Sequence, residues 1–227
     1  MSDTALVIMA RYPEKGKVKT RLARSIGEEE TVKLYQAFLI DLAHRFAGWI
    51  YDLYWAHTPS EIDFTAFMAT LASVDATSMG SFSQDGPDLA TRLHRAFRFT
   101  HSCQFQYTIL IGSDSPQVSR ATIMQARQAL DHADVVLGPA EDGGYYLIAM
   151  KEPHDLFSAI PMSTDAVLQM TIERAYQLDL SVHLLEPLFD VDELPELHRL
   201  SDLLQEKSYL AVETAVQLAQ LKKESVL

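Results

Sequence analysis

The sequence predicts an α/β fold built on a mostly parallel, mixed sheet with helices on both faces. Short apolar runs alternate along the chain with longer segments of helical periodicity, and connections of that length join parallel strands. Charged and glycine-rich stretches follow several apolar runs, at the strand ends where such sheets bind ligands. The chain has 227 residues with no internal repeat or linker, so we expect one domain over residues 1–227.

The first half of the chain begins with a continuous apolar run at residues 5–10, bounded by Pro13 and Gly16. Such a run is typical of a strand buried on both faces. Apolar residues at helical spacing then predict an amphipathic helix at about residues 30–47. The other elements predicted in this half are a strand at 49–56, a helix around 89–97 and a strand at 108–112.

The second half continues the alternation of helices and strands. The predicted elements are a helix around 123–130, a strand pair at 135–137 and 145–150, a helix at 167–178, a strand at 181–185 and a helical tail from residue 193. The strand pair encloses a glycine-rich turn. We expect Ser163 or Thr164 to cap the helix that follows, because hydroxyl side chains favour that position.

The composition excludes several classes of protein. The formal net charge of -12 and the pI near 5.0 argue against nucleic acid or an anionic membrane as a partner, because the overall field repels both. The single cysteine, Cys103, excludes an intramolecular disulfide and a four-cysteine zinc site. The first residues do not have the pattern of a signal peptide, so we expect a cytoplasmic protein.

This acidic chain nevertheless gathers five of its 19 Lys and Arg residues between positions 11 and 21, directly after the first predicted strand. A glycine there allows close approach of a ligand, and the surrounding cations suit a phosphate group. The loop is neither a Walker A motif nor a G-x-G-x-x-G turn. A solvated loop is the alternative, but the position after a strand favours binding. The candidate residues are Arg11, Gly16, Lys17, Lys19 and Arg21.

Acidic residues occupy two further positions that suit a metal site. Asp114 directly follows the strand at 108–112, and Mg²⁺ prefers oxygen ligands that it shares with phosphates. Asp190 and Asp192 share a face if their segment is extended. We predict Asp114 and Asp192 as metal ligands, with Asp190 in support. The alternatives are an Asx turn for the first aspartate and a helix N-terminus for the later pair.

The stretch 138–146 contains Glu141 and Asp142 followed by two glycines. Asp-Gly is a strong hairpin dipeptide, so a structural turn is one interpretation. The other is that the acid pair binds the hydroxyl groups of an acceptor, and we favour it for Asp142. The sequence contains no G-x-S-x-G elbow and no His-Glu-x-x-His pair, which disfavours a serine hydrolase and a zinc enzyme.

Six motifs occur in a fixed order. They are Pro13 with Gly-Lys-Val-Lys-Thr-Arg-Leu at 16–22, Gln-Asp-Gly at 84–86 with Asp-Leu-Ala-Thr-Arg at 88–92, Gly-Ser-Asp-Ser-Pro at 112–116, the stretch 138–146, Ser-Thr-Asp at 163–165, and Asp-Val-Asp at 190–192. Together they resemble a bacterial glycosyltransferase-like family with the GT-A, nucleotide-diphospho-sugar transferase fold, some members of which are associated with arsenosugar biosynthesis or with radical-SAM and selenium-related domains. The resemblance covers nearly the whole chain. Arg11 departs from it, since the family usually has lysine there.

The resemblance implies a three-layer α/β/α enzyme that binds a nucleoside diphosphate-sugar with Mg²⁺ or Mn²⁺ and transfers the glycosyl group to a small acceptor. The implied roles are phosphate binding by Lys17, Lys19, Arg21 and Arg92, metal binding by Asp114 and Asp192, and acceptor orientation or base catalysis by Asp142 or Asp165. A more distant resemblance, to guanylyltransferases that act on phospholactate or the molybdenum cofactor, implies the alternative of nucleotidyl transfer with release of pyrophosphate. A nucleotide-binding module without activity is the other alternative.

Small molecules, rather than nucleic acid or membrane, are therefore the expected partners. Nothing in the sequence indicates a particular oligomeric state. The region 64–82, which contains Met and aromatic residues, suits a subunit interface and buried packing equally well.

Overall fold

The computed structural model describes residues 2–158, 160–162 and 164–227. Over these residues the chain forms seven strands and eight α-helices. The strands are β1 (Thr4–Arg11), β2 (Asp52–Thr58), β3 (Met79–Ser83), β4 (Tyr107–Gly112), β5 (Val135–Pro139), β6 (Tyr145–Met150) and β7 (Val182–Leu184). The helices are α1 (Thr20–Ile26), α2 (Glu28–Phe46), α3 (Phe64–Ala72), α4 (Leu89–Ser102), α5 (Arg120–Ala129), α6 (Val167–Gln177), α7 (Leu194–Glu206) and α8 (Val212–Lys223).

The strands form one sheet in the order β3-β2-β1-β4-β6-β5-β7. Strand β6 runs antiparallel to its neighbours β4 and β5, and the other pairs are parallel. The predicted mostly parallel, mixed sheet is therefore confirmed. Because β1, β4, β5 and β7 point the same way, the loops that follow them meet at one edge of the sheet. We call it the carboxyl edge.

Helices cover the sheet on both faces. Leu6 and Ile8 of β1 pack with Phe38 of α2 on one face, whereas Val7 packs in a second cluster with Phe97 of α4. All five side chains are at most 2% exposed. Alternate residues of a strand point to opposite faces, so the continuous apolar run of β1 fills both halves of the core. The predicted three-layer α/β/α architecture is confirmed.

The strand predicted at 49–56 begins later, at Asp52. Gly48, with a φ of 63°, turns the chain out of the preceding helix. The ring of Trp49 then lies 5.8 Å from that of Phe46. This aromatic residue therefore covers the end of α2 instead of extending β2.

Three elements were not predicted: α1, α3 and β3. Gly27, with a φ of 84°, separates α1 from α2, and the seven residues of α1 are too few for a clear apolar stripe. The other two elements lie in the region 64–82. Phe64 and Met68 are fully buried, so these two side chains belong to the core and not to a subunit interface.

The predicted cap of α6 is wrong for Thr164. The helix begins at Val167, and Ala166 occupies the N-cap without a side-chain hydrogen bond. The hydroxyl of Thr164 instead donates to the carbonyl oxygen of Pro161 at 3.1 Å, so it stabilises the turn before the helix. Ser163 lies outside the described residues.

The helical tail predicted at the end of the chain is two helices, α7 and α8, with a turn of 3₁₀ helix between them. Asp41 of α2 holds the start of α8, because its carboxylate accepts hydrogen bonds from the backbone N–H groups of Glu213 and Thr214 at 2.9 and 2.8 Å. Arg45, one turn later, donates to the carbonyl oxygen of Leu210. Among the helices described here, none is long and apolar enough to cross a membrane.

Candidate functional site

Three of the predicted site residues meet at the carboxyl edge. The ammonium Nζ of Lys19 lies 2.7 Å from Oδ1 of Asp114 and 2.8 Å from Oδ1 of Asp192. The lysine side chain is only 5% exposed, whereas those of the two aspartates are 45% and 42% exposed. Residues from three separate loops thus form an ion-paired cluster, which we call the Lys19 cluster.

The backbone of residues 11–21, which we call the basic loop, turns Lys19 inward. Gly16 has a φ of 73°, and the N–H of Lys17 donates to the carbonyl oxygen of Glu14 at 3.0 Å, so the loop closes on itself. Lys19 occupies the N-cap of α1 with φ 45° and ψ 46°. A left-handed conformation is uncommon for a residue with a side chain, and here it directs the next residues into the helix.

Hydrogen bonds hold together the loops that carry Asp114 and Asp192. The backbone N–H of Val191 donates to the carbonyl oxygen of Asp114 at 3.0 Å, which joins the segment after β7 to the loop after β4. On the other side, Tyr35 Oη lies 2.9 Å from Ser113 Oγ and accepts from the N–H of Arg11 at 3.0 Å. These bonds explain why residues so distant in sequence converge.

The charges of the site shift several pKa values. Burial alone would lower the pKa of Lys19, but the neighbouring carboxylates of Asp114 and Asp192 outweigh it and raise that pKa, so the lysine is charged. Burial, followed by the repulsion of Asp142 and Asp192, raises the pKa of Asp190 to about 6. Carboxylates therefore crowd one another on this side of the cluster.

A cleft of about 430 Å³ opens beside the Lys19 cluster. Its lining residues are Arg21, Glu141, Asp142, Phe189, Asp190, Asp192, Glu193, Pro195, Glu196 and Arg199. The aspartates at 190 and 192 both line it, and their shared role toward one ion stays a prediction. The helix that follows begins at Leu194 with Glu193 at its N-cap, so neither aspartate occupies that cap.

One wall of the cleft was not predicted. The guanidinium of Arg199 binds the Glu141 carboxylate through two hydrogen bonds, of 2.5 and 2.8 Å. The same guanidinium lies 4.2 Å from the centre of the Phe189 ring. Arg199 lies in the middle of α7, and no spacing in the sequence distinguishes it from other surface arginines. In the sequence, only the acid pair at 141–142 indicated a functional role for this part of the cleft.

The remaining cations of the basic loop face solvent. Arg11 and Lys17 are exposed, and the side chain of Arg21 is 66% exposed, with Nη1 3.7 Å from a carboxylate oxygen of Glu193. Arg21 lines the cleft. This segment therefore has one buried cation, Lys19, and several exposed cations, of which Arg21 lines the cleft.

Arg92 is held by its own loop. Its Nε donates to the carbonyl oxygen of Gly86 at 2.9 Å, and Gly86 has a φ of 137° in the turn before α4. Arg92 is not a lining residue of the cleft, and the hydrogen bond that the structure gives its guanidinium stays within its own loop. Its role in phosphate binding stays a prediction.

Asp142 and Asp165 are neighbours through the backbone. A Cβ atom at Gly143, whose φ is 91°, would lie 2.0 Å from the carbonyl oxygen of Asp165, so only glycine fits where the two loops cross. Asp142 Oδ1 accepts from the N–H of Gly144 at 2.9 Å, and Asp142 also lines the cleft. It therefore combines the turn role and the exposure to a ligand that the sequence left open. Asp165 is not a lining residue.

The donor set suits a hard divalent cation. No group of three or more His, Cys, Asp or Glu side chains arranged for a metal occurs within residues 2–158, 160–162 and 164–227. However, Asp114 and Asp192 already converge on one positive group, and both carboxylates stay partly exposed. Mg²⁺ is commonly bound by one or two carboxylates together with the phosphates of its substrate, so this pair fits it.

Comparison with known sequences gives one family. Residues 52–164 match the family described as an uncharacterized protein conserved in bacteria (DUF2064). No curated protein matches the chain in sequence. The matched segment includes Asp114 and Asp142 but neither the basic loop nor Asp192.

Comparison with solved structures extends the similarity to the whole chain. A provisionally named nucleotide-diphospho-sugar transferase from Desulfovibrio desulfuricans G20 superposes with a TM-score of 0.89 at 29% identity, covering 98% of this chain and 96% of that one. The 4-diphosphocytidyl-2C-methyl-D-erythritol synthase of Anaerococcus prevotii DSM 20548 gives 0.59 at 10% identity, with coverages of 90% and 96%. A cytidylyltransferase from Leptospira borgpetersenii gives 0.56 at 12% identity, with coverages of 100% and 97%. By their names, these structural neighbours are transferases of sugar or nucleotidyl groups, and the chain shares their fold.

Proposed function

We propose that this chain is a glycosyltransferase-like enzyme that binds a nucleoside diphosphate-sugar with Mg²⁺ or Mn²⁺ and transfers the glycosyl group to a small acceptor. One observation carries the proposal: Asp114 and Asp192, from loops far apart in sequence, converge on a single positive group beside a cleft. The similarity to the Desulfovibrio desulfuricans protein over nearly its whole length supports it.

In this proposal Asp114 and Asp192 hold the divalent cation. When bound, the cation offsets the negative charge that develops on the diphosphate leaving group. Arg21 lines the cleft and Lys17 is exposed in the same loop; in this proposal both neutralise the phosphates from the solvent side, and Arg11 adds to the same field. Gly16 lets the loop backbone approach the ligand. Lys19 contributes the one buried cation.

The acceptor occupies the cleft on the side of Asp142. One carboxylate oxygen of Asp142 accepts a hydrogen bond from Gly144, and the residue lines the cleft. Asp142 can therefore orient a hydroxyl group of the acceptor and receive its proton. Asp165 supports the same loop through its backbone contact with Gly143 and is the second candidate for the base. Arg92, held by Gly86, would join the phosphates only after that hydrogen bond opens.

Nucleotidyl transfer is the second candidate function. The fold of two cytidyl-transferring neighbours favours it, since the same pocket would then bind a nucleoside triphosphate and release pyrophosphate. The two reactions differ in their products. Release of pyrophosphate from any of the four nucleoside triphosphates, with phosphorylated acceptors present, would favour nucleotidyl transfer. Release of a nucleoside diphosphate from a nucleotide-sugar would favour glycosyl transfer.

Ligand-induced stabilisation tests the proposal directly. We expect a nucleotide-sugar, screened as UDP- and GDP-sugars with and without Mn²⁺, to raise the Tm of the protein only when the metal is present, because a ligand of the folded state stabilises it. The variants Asp114→Asn and Asp192→Asn should lose this metal-dependent shift. Asp202→Asn, which removes an exposed carboxylate on α7, should keep it and serves as the matched control.

Two outcomes would contradict the proposal. If no nucleotide-sugar raises the Tm with Mn²⁺, the donor assignment is wrong. If binding occurs but neither sugar transfer nor hydrolysis rises above background with varied acceptors, the chain is a nucleotide-binding module without activity. We further propose that the chain acts as a single domain in the cytoplasm on small molecules, which suits its acidic composition.

A further inference from the structure

The ammonium of Lys19 occupies the position that the divalent cation needs. It contacts one oxygen of each proposed metal ligand, at 2.7 Å from Asp114 and 2.8 Å from Asp192. An ammonium is a compact point charge with three donors, and here it bridges two carboxylates as a metal ion does. Any competition between this ammonium and the divalent cation rests on the proposed function.

The charges around the Lys19 cluster do not favour two cations at once. Lys19 is 5% exposed, so water screens its charge poorly. A divalent cation added beside it would bring three positive charges together between two carboxylates. Removal of the lysine without a replacement would leave the two carboxylates facing each other, with Asp190 repelled by Asp192 as well. The free protein therefore favours a single cation between the two carboxylates, either the lysine or the metal.

We infer that Lys19 is a resident cation that competes with the divalent metal for Asp114 and Asp192. The diphosphate of the donor offers the lysine a new anionic partner, so it can leave the carboxylates to the metal. Metal and diphosphate then bind together, and neither binds well alone. Such coupling is reciprocal: whatever the diphosphate adds to metal affinity, the metal adds to diphosphate affinity.

The local structure permits this exchange. Lys19 has a flexible four-carbon side chain, and it lies at the N-cap of α1 with Gly16 three residues earlier in the same loop. Arg21, the second residue of the helix, is exposed and lines the cleft. A diphosphate that reaches Arg21 therefore approaches Lys19 from the cleft, which we call the open side of the Lys19 cluster.

Titration of Mn²⁺ into the protein without nucleotide tests the competition. We expect Lys19→Met to bind Mn²⁺ at least about fivefold more tightly than the wild-type protein, the lower end of typical coupling between sites. Binding is read by electron paramagnetic resonance of free Mn²⁺, so no catalytic turnover is needed. Mn²⁺ should also raise the Tm of Lys19→Met more than that of the wild type.

Lys33→Met is the matched control. Lys33 also lies between two carboxylates, at 2.8 Å from Glu30 and 3.7 Å from Glu29, but on the solvent face of α2. Its loss changes the net charge equally and should leave Mn²⁺ affinity unchanged. If Lys19→Met does not fold, Lys19→Gln removes the charge while its amide still donates to the carboxylates, and the same tightening is expected.

The competition is wrong if a folded Lys19 variant binds Mn²⁺ as weakly as the wild type, or more weakly. It is also wrong if Lys33→Met tightens binding equally, because a general change of charge would then explain the effect. This result is distinguishable from failure of the proposed function. Tighter Mn²⁺ binding with no nucleotide-sugar binding supports the competition alone, and nucleotide-sugar binding without the tightening supports the function alone.

Discussion

Two polar clusters join distant parts of this chain, and they differ in how completely their charges are satisfied. In the first, Asp41 of α2 accepts hydrogen bonds from two backbone N–H groups and from the hydroxyl of Thr214, at 2.9, 2.8 and 2.6 Å. In the Lys19 cluster, one ammonium serves two carboxylates. Asp41 is 5% exposed, whereas the side chains of Asp114 and Asp192 are more than 40% exposed.

Arg45 completes the first cluster, which we call the α2 clamp. It lies one turn after Asp41 and donates to the carbonyl oxygens of Pro116 and Val118 at 2.6 and 2.7 Å, and to that of Leu210. The α2 clamp therefore holds both the last helix and the loop that follows Asp114. All its bonds are internal to the fold.

This difference in hydrogen bonding distinguishes a structural cluster, the α2 clamp, from a candidate binding site, the Lys19 cluster. A buried carboxylate with three donors has little capacity left for a ligand, and its hydrogen bonds hold the chain together. Each carboxylate of the Lys19 cluster uses one oxygen on the lysine and stays more than 40% exposed, and Asp192 also lines the cleft. The pair can therefore bind a new cation. The stability effects of mutations should therefore be large in the α2 clamp and small in the Lys19 cluster, and ligand effects the reverse.

Asp41→Ala should give the largest loss of stability. We expect the free energy of unfolding, measured by urea denaturation, to fall by about 3 kcal/mol, because two N–H groups and a hydroxyl lose their buried acceptor. Binding of nucleotide-sugar by the remaining folded protein should be unchanged.

Asp202→Ala provides the control, since this aspartate is exposed on α7. It should change the free energy of unfolding by no more than about 0.5 kcal/mol. A loss below about 1 kcal/mol for Asp41→Ala would show that the α2 clamp does not hold α8, and the comparison between the two clusters would fail.

Much of the carboxyl edge was predictable because its signals are local. Strands β1, β4 and β5 are apolar runs, and the edge rule for parallel sheets places the residues after such runs together. Asp114 was predicted in this way and Asp192 from its i, i+2 spacing with Asp190, and the two carboxylates meet at one ammonium. The same rule explains why Asp142 lies at the cleft.

The partners of individual charges were not predictable from the sequence. Lys17 and Lys19 are two residues apart in one motif, yet one faces solvent and the other is buried between carboxylates. The left-handed backbone at Lys19 decides this, and no residue type at that position signals it. The sequence predicted phosphate contacts for both lysines, whereas the structure gives Lys19 two aspartates.

Elements without a clear apolar period were missed for a similar reason. Strand β3 reads Met-Gly-Ser-Phe-Ser, and it is an edge strand with one neighbour, so its polar residues can face water. Arg92 carried a motif but is held by Gly86. Only the folded chain shows that this contact is nearer to it than the cleft.

Lys19→Met should destabilise the protein less than Asp41→Ala. Its two carboxylate partners are partly exposed, so water can solvate them when the ammonium is removed. We expect urea denaturation without metal to show a loss of about 1 kcal/mol, well below the cost of breaking a fully buried pair, because the charges left behind are partly exposed. A loss as large as that of Asp41→Ala would mean that the Lys19 cluster is mainly a structural ion pair.

Arg21→Ala should have the smallest effect on stability and a clear effect on binding. Its side chain is 66% exposed, and its ion pair with Glu193 is long, at 3.7 Å. We therefore expect the free energy of unfolding to change by no more than about 0.5 kcal/mol. Calorimetric titration with UDP or GDP and Mn²⁺ should show affinity weakened about tenfold, or roughly 1.4 kcal/mol. This loss should shrink at high salt, because an exposed charge is screened.

Arg24→Ala separates a specific contact of Arg21 from the general field of α1. Arg24 is an exposed arginine of the same helix but does not line the cleft. Both variants remove one positive charge, so equal losses of nucleotide affinity would mean that the helix acts only through its summed charge. A loss confined to Arg21→Ala would instead place the diphosphate at the open side of the Lys19 cluster, where the exchange of lysine for metal requires it.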